Sequence, residues 1–136
     1  MRPDSASEAS RWIAQAETDL DDARYNAVGG RHHLVCFLCQ QAAEKAINAF
    51  LYGKGADVVW GHSVADLCRE AEEKDAAFSV IRKKAGPLDR YYIPTRYPNG
   101  LPGGTPKEAF GPEDSKNAIE TATATVEFVK ERLGPK

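Results

Sequence analysis

The chain has 136 residues, 42% of them hydrophobic and 28% charged, and its 20 acidic and 18 basic side chains leave a net charge of −2. At roughly 100–150 residues per domain this is one domain with a real core, and the near-even charge balance excludes a generally basic wrapper of nucleic acid while leaving room for a local patch. The longest apolar run, the six residues Leu34 to Cys39, is far short of the roughly 20 that a membrane span needs. The start, Met1-Arg2-Pro3-Asp4-Ser5, has no apolar segment like a signal peptide. Three cysteines without a spaced framework suit a reducing compartment. The expectation is a cytoplasmic protein with no membrane partner.

Ser5 to about Val28 is predicted to be a helix, because Ala9, Trp12, Ile13, Ala16, Leu20, Ala23 and Ala27 recur at three-and-four spacing. Gly29-Gly30 ends it. A second helix, Arg31 to about Tyr52, is apolar on more than one side, as a central helix would be, and Gly53-Lys54-Gly55 stops it. The short connection favours an antiparallel pair. Ser63 then reads as a helix cap with Asp66 three residues on. A shorter helix follows through Leu67 and Ala71, and a fourth helical stretch runs from about Ala76 to Gly86-Pro87, with a further turn over Leu88–Ile93.

From Pro94 to Pro112, nine of nineteen residues are Gly or Pro, a density that predicts one long loop without a helix. Loops beyond roughly 12–15 residues in compact domains are usually functional or disordered. The last helix opens with Pro112, Glu113 and Asp114 at its positive end and buries Ala118, Ile119, Ala122, Val126, Val129 and Leu133. No alternating segment competes as a strand. The expected fold is all-α, an antiparallel bundle of four or five helices with a Gly/Pro-rich loop before the last one.

Charge is unevenly placed. Arg82 to Lys107 holds six bases and one acid, Asp89. The same stretch carries Tyr91-Tyr92-Ile93-Pro94-Thr95-Arg96-Tyr97-Pro98. Arginine offers forked donors to phosphate and tyrosine offers stacking faces to a base, a pairing that suits a nucleotide or single-stranded RNA. The alternative is that the tyrosines plug the end of the bundle and that Arg82-Lys83-Lys84 is a solvated helix face. His62, ahead of a helix start, is able to cap that helix or to face an anion. His32 and His33 point about 100° apart on the helix, so surface or packing roles are expected of them. Cys36, Cys39 and Cys68 read as buried, inert thiols, and no four ligands converge as a structural zinc site requires. Gln41, Glu44 and Lys45 form a polar strip on the most apolar helix, which must face solvent, a partner or a ligand cavity. No phosphate-binding Gly-rich loop, Ser-His-Asp order or paired-carboxylate motif is present.

Several of these pieces occur together in one family. Trp12 with Ala16, Asp19-Leu20 and Ala23, then Gln40-Gln41-Ala42-Ala43-Glu44-Lys45-Ala46, then His62-Ser63 with Leu67, Tyr92 and Thr95-Arg96-Tyr97-Pro98, and last Asp114 through Ala122 to Leu133 resemble the HEPN family (higher eukaryotes and prokaryotes nucleotide-binding domain), over nearly the whole chain. The resemblance implies one helical domain, a homodimer, and for many prokaryotic members a two-component, toxin–antitoxin-like system with a small nucleotidyltransferase partner. Some members are ribonuclease toxins and others bind nucleotides only. Ribonuclease members carry an arginine followed four to six residues later by histidine, and this sequence lacks that spacing. The expected function is therefore binding of a nucleotide such as ATP or GTP through Arg90, Tyr92, Arg96, Tyr97 and His62, with Lys45 as a further cation and no cofactor or metal. The alternative is RNA cleavage with Arg96 clamping phosphate and His62 as acid or base. The homodimer also has a physical motive, since Trp12 and a second helix apolar on two sides present more apolar surface than a small bundle hides.

Overall fold

A computed structural model describes residues 4–134. Among them are six α-helices, α1 (Ser5–Val28), α2 (His32–Gly53), α3 (Val64–Glu72), α4 (Phe78–Ala85), α5 (Pro106–Ala109) and α6 (Pro112–Leu133), with no strand. Asp4 caps α1 by accepting from the Ser7 amide at 2.9 Å, and Gly30, at φ 74°, turns the chain into α2. At the start of α6, Pro112 occupies the first turn and Asp114 reaches back to accept from the Gly111 amide at 2.9 Å.

The three long helices set the architecture, with α2 packed against α1, α6 and α3. Pairings between side chains fix their directions. Asp19 and Trp12 of α1 meet Lys45 and Tyr52 of α2, while Arg24 and Glu17 of α1 meet Thr123 and Lys130 of α6, so α1 runs antiparallel to both. At the crowded end, a Cβ on Gly53 would stand 3.3 Å from Leu133 and 3.4 Å from Ala9, which is why the helices close so tightly there. The breadth of the apolar surface on α2 is thus used within the chain. Val35, Cys39, Ala42, Ala43, Ala46 and Ile47 are all fully buried, and Trp12 of α1 stacks on Tyr52 at 5.5 Å. The surface that motivated a dimer on sequence grounds is therefore largely covered by the chain itself.

The long loop corrects one expectation. It is not free of helix. Thr105 caps a single turn, α5, in which Glu108 reaches back to accept from the Thr105 amide at 3.2 Å and from its hydroxyl at 2.9 Å, with Pro106 at the first helical position. A 3-10 turn over Pro98–Gly100 shortens the loop further. The expected turn after α4 is also present, as a 3-10 helix over Gly86–Tyr91. No helix among the described residues is long and apolar enough to cross a membrane.

Candidate functional site, an arginine among aromatic rings

The site is built on the first half of α2, under the segment that leads into α3. Asp89, from the 3-10 turn Gly86–Tyr91, holds that segment down. Its Oδ1 accepts from the Val64 amide at 2.7 Å, and its Oδ2 accepts from the Ala65 amide at 3.0 Å and the Ser63 hydroxyl at 2.8 Å. A carboxylate at this position satisfies the first free amides of α3 and sits at the positive end of its dipole. From below, the buried Gln40 donates to the carbonyl of His62 at 2.8 Å, and Gln41 donates to Gln40 at 2.8 Å.

His62 is thereby placed with its ring stacked on Tyr92, the centroids 5.3 Å apart. Its Nδ1 lies 3.4 Å from Oε1 of Glu44, an oxygen with no hydrogen-bond partner among the described residues. At that distance the contact is an electrostatic pairing rather than a well-formed hydrogen bond. Glu44 is only 5% exposed, and burial pushes its carboxyl above the ordinary glutamate range, with His62 and Lys45 pulling the other way. A carboxyl held high in the folded state favours folding at acid pH, and that contribution is lost as pH rises through its folded value. Glu44→Gln is accordingly expected to gain stability relative to the wild type as pH rises through and above the ordinary glutamate range, about pH 4, read by urea denaturation at each pH. A constant difference would contradict a buried, raised carboxyl.

Arg96 joins the same cluster. Its guanidinium lies 4.6 Å from the Tyr92 ring, 4.4 Å from Phe37 and 5.1 Å from Tyr97, and its Nε donates to the carbonyl of Tyr92 at 2.8 Å. No acidic side chain among the described residues pairs with it. The buried Thr95 braces the turn by donating to the carbonyl of Tyr91. His62, Tyr92, Arg96 and Tyr97, four of the residues singled out from sequence, thus meet in one place, and Phe37 joins them.

Two others lie elsewhere. Lys45 donates to Asp19 at 2.7 Å, and Gln15 donates to the same carboxylate at 2.9 Å, so its charge is spent on a buried α1–α2 link. Arg90 lies against the Tyr91 ring, 5.2 Å from its centroid, and Tyr91 packs edge-on against Phe110, so Tyr91 does plug the end of the bundle. His32 contacts the Ser115 hydroxyl at 2.7 Å and ties α2 to α6. Cys36, Cys39 and Cys68 are buried thiols that burial pushes up to about 12, leaving them unreactive at neutral pH. Among the described residues no group of His, Cys, Asp and Glu side chains converges to hold a metal ion.

The sequence pattern of the HEPN domain matches residues 9–132. The chain belongs to the HEPN family. The crystal structure of TT1696 from Thermus thermophilus is similar to this HEPN chain, with 34% identity, a TM-score of 0.87, and coverage of 92% of this chain and 98% of that one. ST0689, an archaeal HEPN homologue, matches with 36% identity and a TM-score of 0.76 over 93% of this chain and 98% of its own. An HEPN domain protein of Thermotoga maritima, tm0613, shares the fold at 24% identity and a TM-score of 0.72, over 93% of this chain and 99% of that chain. No curated protein matches the chain.

A larger depression, of about 630 Å³, lies at the far end of α2, between the start of α1 and the end of α6. It holds neither tyrosine nor histidine. The aromatic–arginine cluster is the better candidate because ligand sites converge a few available polar groups on apolar walls, and Arg96 has no acidic partner among the described residues, whereas Lys130 and Arg132 of the depression pair with Glu17 and Asp75.

Proposed function

We propose that this HEPN chain binds a nucleotide such as ATP or GTP on the face formed by Tyr92, Arg96, Tyr97 and His62, as a homodimer and as one component of a system with a small nucleotidyltransferase. The observation that carries the reading is the state of Arg96. Its guanidinium is exposed, stacked among three rings, anchored through Nε, and free of any carboxylate among the described residues. An arginine so held loses little freedom when it forks onto a phosphate, while the half-exposed Tyr97 offers a ring face to a base. The pairing surface of the dimer is drawn from side chains that stay outside, such as Tyr25, Val28 and Trp60, exposed by 81%, 91% and 81%. Titration calorimetry with ATP, GTP and short single-stranded RNA tests the reading. Saturable binding of a mononucleotide is the expected result, and no heat at millimolar nucleotide overturns it, leaving the nucleotidyltransferase as the ligand to test.

The second reading, an RNA-cleaving toxin, is favoured by the contact between His62 and the buried Glu44, adjacent to Arg96. A histidine oriented by a carboxylate is suited to move a proton while an arginine holds phosphate charge. Cleavage of single-stranded RNA that disappears in His62→Ala would favour it over pure binding.

A further inference from the structure

Arg96 belongs to two features at once. On one side it stacks among the rings, and on the other it lines a groove of about 380 Å³ between the start of α2 and α5. His33, Leu34 and Phe37 form one wall of that groove, and Thr95, Thr105, Pro106 and Lys107 complete it. No carboxylate among the described residues lines the groove. The nearest along the chain, Glu108, is turned to the amide and hydroxyl of Thr105, where it starts α5. Lys107 is exposed and has no acidic partner among the described residues. A groove that gathers two unpaired cations, two threonines and a histidine, without an acid to balance them, is built for an anion.

We propose that this groove holds the phosphate chain of the bound nucleotide beyond its first phosphate, with Arg96 at the junction, Lys107 on the far wall and His33 between them. The inference rests on the nucleotide-binding reading and deepens it, because it makes the preferred ligand a nucleoside di- or triphosphate rather than a monophosphate. His33 supports it independently. It lines the groove together with Arg96 and Lys107, and its Nδ1 has no hydrogen-bond partner among the described residues. Burial, Arg31, Lys107 and His32 together hold its imidazole below the usual histidine range. The charged and titratable groups facing it are therefore Arg31 and His32 at the start of α2, Lys107 from α5 and Arg96 within the groove, all cationic or neutral. A phosphate placed there reverses the sign of that environment. His33, whose side chain borders the groove, then holds a proton more readily. Binding is thereby linked to proton uptake.

Titration calorimetry of the full chain with adenosine, AMP, ADP and ATP tests this directly, at pH 7 in two buffers of different ionisation enthalpy. The expected result is affinity that rises at least tenfold from AMP to ATP, with proton uptake for ATP that His33→Gln removes. Lys107→Ala, at an exposed position away from the core, is expected to flatten the rise from AMP to ATP, and it keeps the test sound if His33→Gln disturbs α2. Equal affinities for AMP and ATP, or a rise that survives both substitutions, would overturn the groove while leaving the aromatic site standing. Failure of every nucleotide to bind overturns both.

Discussion

Asp89→Ala is expected to lower the stability of the protein by about 3 kcal/mol, the scale of leaving several enclosed donors without a charged acceptor. The substitution strips acceptors from the amides of Val64 and Ala65, the hydroxyl of Ser63 and the side chain of Gln40, which stands 3.3 Å from Oδ1. These groups come from α2, α3 and the segment between them, so one carboxylate joins three parts of the chain. Asp89→Asn is expected to recover only part of the loss, because its amide group turns donors toward donors. Urea unfolding with an unchanged slope measures the effect, and a loss below about 1 kcal/mol would show that the amides find water instead. Since the same contacts seat His62, hydrogen exchange in the first turn of α3 is expected to rise in step.

Arg96→Ala is expected to weaken nucleotide binding by about 10- to 100-fold, the scale of losing a forked, charge-assisted contact. Its effect on stability is expected to be small, about 1 kcal/mol, because the side chain is exposed and what it gives up is stacking on Phe37, Tyr92 and Tyr97. Arg96→Lys separates charge from shape. A lysine keeps the positive charge and loses both the fork and the flat face, so partial recovery is expected at most. Full recovery by lysine would mean that the site works as a diffuse positive field. A comparable loss of stability and of binding would instead make Arg96 a brace for the turn.

The long helices were legible because their determinants are local. Periodic alanines, the Ser63 cap, and Pro112 followed by acids each act within a turn or two, and the helices begin and end within two residues of where those signals stand. The turn α5 had a local signal as well, Thr105-Pro106 with Glu108, and it was masked by the surrounding glycines and prolines. The site was legible in its residue types but not in its assembly. That His62 lies on Tyr92 depends on Asp89 reaching back 26 residues to Ser63, and nothing in the local sequence marks such a contact. Lys45 shows the opposite failure. A cation on a polar strip reads as available, yet its partner Asp19 sits 26 residues earlier on α1. Glu44 was legible only as an anomaly, an acid on the most apolar helix, and its burial beneath His62 accounts for it.

Nucleotide-induced NMR shift changes, read residue by residue on the wild-type chain, test the central claim most directly. ATP is expected to move the signals of His62, Tyr92, Arg96 and Tyr97 together with a single saturating curve, leaving Lys45 and the far end of α2 in place. Changes centred on the depression near Lys54 and Lys130, or none at millimolar ATP, would contradict the assignment of this face as the nucleotide site.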